Sequence, residues 1–178
     1  MAMSSRVIEQ AIAARSAATV LRRLRRIDKD DLLAAMGIGL RKGVDEILAA
    51  NGADVDRGRD AGMDEALLDR LTLTPERIEG MAVGLEGVAH LDDSVGEVVR
   101  GWHTPLGVKV EQVRVPIGVI GIIYEARPNV TSDAAGICLK SGNACLLRGS
   151  SSALESNRAV IAAMRSLSLI HISEPTRP

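Results

Sequence analysis

The chain has no phenylalanine, one tryptophan and one tyrosine in 178 residues. Its core must therefore be aliphatic, and the aromatic platforms on which nucleic-acid bases stack are excluded. An excess of either charge is missing too. Lys and Arg number 22 against 23 Asp and Glu, for a net charge of −1. That leaves no electrostatic footprint for nucleic acid or an anionic membrane. Cysteine is limited to Cys138 and Cys145, which form neither a disulfide framework nor a metal-ligand spacing. His90, His103 and His171 are scattered, with no partner at metal-ligand or dyad spacing. No apolar run reaches the roughly 18 residues of a membrane span. The opening "MAMSSRVIEQ" has no apolar signal segment, so a cytoplasmic location is expected. The composition, 46% hydrophobic and 25% charged, is that of an ordinary globular domain.

What is present begins as helix. Val7, Ile8, Ala11 and Ile12 recur at helical spacing, and Leu21, Leu24 and Ile27 continue the stripe. Arg22, Arg23, Arg25 and Arg26 on the same segment read as a solvated face. Asp28 or Asp30 can cap a second helix carrying Leu32, Leu33, Met36, Leu40, Ile47 and Leu48. The polar, Gly-rich "ANGADVDRGRDAG" is expected to break the pattern. A further helix opens with Thr74 as cap and Pro75 at the first helical position, where a missing N–H costs nothing. Its face is Ile78, Met81, Ala82, Leu85, Val88 and Ala89. Gly80, Gly84 and Gly87 weaken it, so packing must stabilise it.

After Asp92 the pattern changes to Val, Ile, Gly and Pro, with strands expected at about 97–103, 107–115 and 117–124. "IGVIGIIY" is apolar on both faces, as a buried parallel strand should be. "NVTSDAAGICLKSG" then reads as helix, "NACLLRG" as a second buried strand and "SSALESNRAVIAAMR" as a second helix. That β-α-β-α order is the unit of a doubly wound sheet, so the fold class is α/β.

Two turns carry the candidate chemistry, because ligands of open α/β sheets bind beyond the carboxyl ends of the strands. The first is "YEARPNVT", which puts Tyr124, Glu125, Arg127 and Asn129 at that edge. A helix starting near Asn129 or Thr131 would aim backbone N–H groups at an anion, and Arg127 would add a fixed positive charge. The bland alternative is a capped loop in which Arg127 pairs with Glu125. The second turn is "LLRGSSSALESN", where Arg148, Gly149, Ser150 and Ser151 offer a cation, a permissive backbone and hydroxyls. It suits a phosphate or ribose phosphate, although it is neither a GxGxxG fingerprint nor a Walker motif. A Ser-rich helix cap is the alternative. Cys138, between Ile137 and Leu139, reads as a buried structural thiol, and Cys145 as core.

At these turns the chain closely resembles the gamma-glutamyl phosphate reductases, also called glutamate-5-semialdehyde dehydrogenases, of the aldehyde dehydrogenase superfamily. "YEARPNVT" and "CLKSGNACLLRG" carry the resemblance. It extends upstream through "LLDRLTLTPERIEGMAVGLEGVAHLDDSVGEVVRGW" and covers roughly residues 5 to 166. It implies an aldehyde dehydrogenase-like fold with N-terminal helices over 1–96, an oligomerisation-type β-hairpin over 97–115 and a partial NADP-binding β-α-β-α unit over 116–166. The implied reaction, in L-proline biosynthesis, is NADPH-dependent reduction of L-glutamyl 5-phosphate to L-glutamate 5-semialdehyde plus phosphate. It runs through a cysteine thioester that splits one hard step into two easier ones. The full-length enzyme is expected to be a homo-oligomer, with glutamate 5-kinase as its pathway neighbour.

The resemblance also sorts the site residues. Tyr124, Glu125 and Ala126 fall on the loop beneath the nicotinamide half of the cofactor. Arg127 and Asn129 fall on the substrate side, Asn129 at the place of an oxyanion-holding Asn. Arg148 and Ser151 stand where the superfamily commonly has Lys-x-x-Glu, with Gly149 and Ser150 between them. Ser151 removes a carboxylate that would repel a 2′-phosphate, at a cost on the order of 1 kcal/mol, so NADP is favoured over NAD. Neither Cys138 nor Cys145 matches the family's nucleophile, which lies downstream in a catalytic domain expected to be absent. The fragment is therefore expected to be inactive. The alternatives are another acyl-phosphate or aldehyde dehydrogenase, and a non-catalytic nucleotide-binding remnant. The amphipathic pattern stops near Arg165 or Ser166. "LSLIHISEPTRP", 167–178, instead resembles one reading frame of a transposase adapter used in sequencing libraries, so it is expected to be foreign.

Overall fold

Apolar positions spaced three and four apart gather α-helices around an aliphatic core, beside a short parallel sheet. The computed structural model describes the backbone of residues 2–173 and the side chains of residues 7–166. In chain order the described elements are α1 (Ala2–Leu21), α2 (Arg26–Lys42), α3 (Val44–Asp60), α4 (Glu65–Leu71), α5 (Pro75–His90), β1 (Val98–His103), β2 (Lys109–Val113), β3 (Val119–Ile123), α6 (Asn129–Lys140), β4 (Ala144–Arg148), a 3-10 turn (Ser151–Ala153) and α7 (Leu154–Ser173). The continuous core joins Leu33, Met36 and Leu40 of α2 to Ile47 of α3, Ile78 and Leu85 of α5, and Val160 and Met164 of α7. Burying a side chain of this size contributes about 1.5–3 kcal/mol. Helices α2 and α7 touch backbone to backbone, since a Cβ on Gly39 would lie 2.3 Å from the Ala163 carbonyl oxygen.

Several local readings hold. Helix α5 starts at Pro75 with Thr74 as cap, its hydroxyl accepting from the Arg77 N–H at 3.2 Å. Ile78, Met81, Ala82 and Leu85 are buried, and Val88 and Ala89 pack against them. Gly80 and Gly87 face open space, so that packed face holds the helix despite them. Arg22, Arg23, Arg25 and Arg26 are exposed. Asp28 lies inside α2 rather than capping it: its carboxylate accepts from the Arg25 backbone N–H at 3.1 Å and from the Arg25 side chain.

Other expectations are corrected. "ANGADVDRGRDAG" does not break the helix; most of it lies in α3. Asn51 and Asp54, polar in sequence, are buried and bonded across the fold. Asn51 donates to the Leu71 carbonyl at 2.8 Å and accepts from the Leu73 N–H at 2.7 Å. Asp54 accepts from the Ser156 N–H at 2.7 Å and its hydroxyl at 2.6 Å, pinning the start of α7. Tertiary hydrogen bonds override the local breaker signal. In α1 the buried residues are Ala14 and Ala18, while Val7, Ile8 and Ile12 are exposed, because the sheet is met through small side chains. Ile27 is exposed as well. Helix α4 had no counterpart among the expected elements.

Strands β1 and β2 pair antiparallel as a hairpin, exposed along most of its length. Strands β3 and β4 pair parallel, with Val119 opposite Ala144 and Ile123 opposite Arg148. They are not the buried strands expected: Ile123 is 86% exposed, and Cys145 is only half-buried. With two strands in the sheet among the described residues, α1 and α6 cover parts of it. The backbone of α7 continues past Arg165 to Ser173, and residues 174–178 lie outside the described residues.

An ionic cluster ties the helices to the base of the hairpin. Lys29, 1% exposed, pairs with Asp93 at 2.5 Å and donates to the Lys140 carbonyl at 3.2 Å. Lys140 in turn pairs with Asp30 at 2.5 Å and donates to the Ala89 carbonyl at 2.7 Å. Burial raises the Asp93 carboxyl, but its bonds from Lys29 and the Val95 N–H outweigh this and hold it below its ordinary value. Among the described residues no helix is long and apolar enough to cross a membrane.

Candidate functional site

Parallel pairing brings the ends of β3 and β4 side by side, so both candidate turns leave the same edge of the sheet. The Tyr124 N–H donates to the Arg148 carbonyl at 3.1 Å, which extends the pairing to the point where the turns begin. One hydrogen-bonded chain then joins them. The Tyr124 hydroxyl and the Thr131 hydroxyl lie 2.7 Å apart, and Thr131 donates to Asn157 of α7 at 3.0 Å. Burial pushes the Tyr124 phenol up, against the lowering effect of its bond to Thr131. Gly149 closes the bridge: a Cβ there would stand 2.3 Å from the Asn157 amide nitrogen and 3.1 Å from the Tyr124 ring. Its small size is therefore a packing requirement.

In the second turn Arg148 is exposed at the end of β4, and among the described residues it has no ion-pair partner. Ser150 caps the 3-10 turn, accepting from the Ser152 N–H at 3.3 Å, with the two hydroxyls 2.7 Å apart. Ser151 is exposed. In the first turn Glu125 lies between Arg127 at 4.0 Å and Arg70 of α4 at 3.9 Å, separations too long for strong pairing. Ala126 is half-buried, and Pro128 is buried at the entry to α6. Asn129 donates to Asp133 at 3.4 Å, and burial raises the Asp133 carboxyl despite that bond.

Arg127 and Asn129 face a cavity of about 410 Å³ that neither turn predicts alone. Arg70, Arg77, Met81 and Asp133 also line it. Arg77 is engaged with Asp69 at 2.8 Å, whereas among the described residues Arg70 and Arg127 have only the distant Glu125 as an ion-pair partner. The edge thus divides into a Ser-rich turn (Arg148 to Ser151) and an arginine-lined pocket, with Tyr124, Glu125 and Ala126 between them.

Thr131 and Asn157, which link the two halves, were not among the expected site residues. Their signal was a polar side chain on an otherwise apolar stripe. Thr131 shares a face with Ala135 and Cys138, and Asn157 with Val160 and Met164.

An N-terminal helical layer, a projecting hairpin and a parallel β-α-β-α unit together define the N-terminal part of an aldehyde dehydrogenase-like α/β fold. Two crystal structures of gamma-glutamyl phosphate reductases share it. The one from Thermotoga maritima has a TM-score of 0.88 at 44% identity, over 92% of this chain and 39% of that one. The one from Saccharomyces cerevisiae has a TM-score of 0.85 at 30% identity, over 93% and 42%. A protein named gamma-glutamyl phosphate reductase from Cutibacterium acnes is 99% identical over 166 residues, 93% of this chain and 40% of its own length. No family model matches the chain. The chain belongs to the gamma-glutamyl phosphate reductase family, and it spans about two fifths of the length of the curated relatives it matches.

Proposed function

We propose that this chain forms the N-terminal helical and nucleotide-binding part of an NADPH-dependent reductase that converts L-glutamyl 5-phosphate to L-glutamate 5-semialdehyde in L-proline biosynthesis. The observation that carries the reading is Arg148, which has no ion-pair partner among the described residues, beside the exposed Ser151 at the carboxyl end of a parallel strand. That donor set fits a phosphate-bearing nucleotide. A free guanidinium supplies bidentate charge-assisted donors, and no carboxylate stands at 151 to repel a 2′-phosphate. NADPH, when bound, supplies the hydride.

The residues of this chain hold and orient. Arg148 and Ser151 take the adenosine-side phosphate. Tyr124, locked to Thr131, sets the floor between cofactor and substrate. Arg127 and Arg70 draw the anionic acyl phosphate toward the pocket, and Asn129 donates to its carbonyl oxygen as charge develops there. The nucleophilic thiol comes from elsewhere in the full-length enzyme. Cys138 is 3% exposed and lies on the face of α6 turned away from the pocket, so it does not serve. This chain alone has no reductase activity on this reading. The names of the relatives support the substrate.

The test uses a full-length relative carrying these residues, assayed for phosphate-dependent oxidation of glutamate semialdehyde with NADP and with NAD. Activity with NADP at least about tenfold above NAD is expected, the equivalent of roughly 1.4 kcal/mol. Equal use of both cofactors, or no phosphate dependence, overturns the proposal.

A further inference from the structure

Among the described residues two carboxylates face the arginine-lined pocket, and they differ. Asp69 is paired with Arg77 at 2.8 Å. Asp133 has no ion pair among the described residues, although Arg70, Arg77 and Arg127 line the same cavity. Its hydrogen bond is long: the Asn129 amide donates to Oδ2 at 3.4 Å. An ionised carboxylate offers about four acceptor sites, so this bond leaves most of them for a ligand.

Helix α5 passes this carboxylate with Gly80 and Gly84, four residues apart and so on one face. A Cβ on Gly84 would lie 3.8 Å from Asp133 Oδ1, so the carboxylate stands against that face. Gly80 lines the pocket, and a Cβ there would meet nothing within 4 Å. Neither crowding nor a positive φ calls for glycine at 80, and glycine weakens a helix interior relative to alanine. Its missing side chain leaves pocket volume one helical turn from the place where α5 meets Asp133.

We propose that Asp133 is a specificity-determining residue that holds the α-ammonium group of the substrate, in the space that Gly80 leaves open between α5 and α6. The assignment rests on the function proposed above, in which Asn129 donates to the reacting carbonyl. Asn129 and Asp133 are four residues apart on α6, so their side chains leave the helix about 5–6 Å from each other. In an extended glutamyl chain three carbons separate the reacting carbonyl carbon from the α-nitrogen, a span of about 5 Å. With Asn129 on the carbonyl oxygen, the ammonium therefore falls at Asp133. One N–H of the Asn129 amide goes to Asp133, and the other stays free for the carbonyl. Arg70 and Arg127 remain for the anionic groups. A substrate of the same length without the amino group would leave the carboxylate without its cation, and that difference sets the preference.

The test uses a full-length relative carrying Gly80, Asn129 and Asp133, assayed with NADP and phosphate on two aldehydes. One is glutamate semialdehyde, the other 5-oxopentanoate, the same chain without the amino group. The readout is the ratio of kcat/KM for the first to kcat/KM for the second. Asp133→Asn should lower this ratio at least about tenfold, the loss expected for a hydrogen bond between charged groups. Asp133→Glu should recover part of it. Loss of the bond to Asn129 acts on both aldehydes alike and drops out of the ratio. Closure of glutamate semialdehyde to its cyclic imine belongs to the substrate, so it cancels between the unaltered enzyme and the variant. Gly80→Leu puts a better helix former into the open space. It should leave Tm no lower and raise KM for glutamate semialdehyde at least about tenfold. An unchanged ratio in Asp133→Asn, an equal loss on both aldehydes, or an unchanged KM in Gly80→Leu overturns the proposal and leaves the proposed function standing. Absence of phosphate-dependent oxidation of glutamate semialdehyde by the unaltered enzyme overturns both.

Discussion

Replacing Gly149 by alanine should break the bridge between the two turns. The added Cβ would stand 2.3 Å from the Asn157 amide nitrogen, over 1 Å inside the usual contact of about 3.5 Å. Asn157 is 7% exposed and has no free space to retreat into without releasing Thr131. Losing that bond costs about 1 kcal/mol. Overpacking against the Tyr124 ring adds about 1–3 kcal/mol. Gly149 has no positive φ, so the smaller unfolded-state entropy of alanine returns about 0.5–1 kcal/mol. The net destabilisation is about 2 kcal/mol. With a urea slope of about 2 kcal/mol/M, the midpoint should fall by about 1 M. Far-UV circular dichroism follows this well in so helical a chain, at concentrations where light scattering stays flat. The decisive control is Asn157→Ala, which removes the atom that clashes. Gly149→Ala should cost at least about 1 kcal/mol less in that background than in wild type. An unchanged midpoint, or strict additivity of the two substitutions, would refute the steric argument.

Other outcomes follow from the same structure. Lys29→Met strips one partner from a buried ion pair and leaves Asp93 uncompensated, so it should cost about 3 kcal/mol by urea denaturation. The folded Asp93 carboxyl lies below its ordinary 3.8, so its contribution is present above that value and lost as pH falls below it. Asp93→Asn should accordingly flatten the acid limb of a stability-versus-pH curve, and an unaltered limb would exclude Asp93 as its source. In a full-length relative, Ser151→Glu should weaken NADPH binding about tenfold, measured by titration against NADH, through a clash with the 2′-phosphate worth roughly 1.4 kcal/mol; unchanged NADPH affinity would sink the assignment. Expressed alone, this chain should self-associate, because Ile117, Ile123 and Leu106 are 82%, 86% and 92% exposed. A monodisperse species at high concentration in light scattering would contradict that.

Local chemistry determined much of this protein. Thr74 and Pro75 announced the start of α5, and Ile78 through Leu85 its buried face, because capping and helical spacing act within one or two turns. The change to Val- and Ile-rich segments after Asp92 located β1 to β4, and the residues after each parallel strand marked both candidate turns. What spacing could not say was which polar groups are satisfied far away in sequence. Asn51 and Asp54 looked like helix breakers, yet their partners lie at Leu71, Leu73 and Ser156. Val7, Ile8 and Ile12 looked like a core stripe, yet the short sheet is met by Ala14 and Ala18. The tertiary structure alone joined the turns through Thr131 and Asn157 and brought Arg70 and Arg127 to one pocket. Each of these depends on contacts between elements that only packing brings together, whereas helices, caps and turns are set by neighbours along the chain.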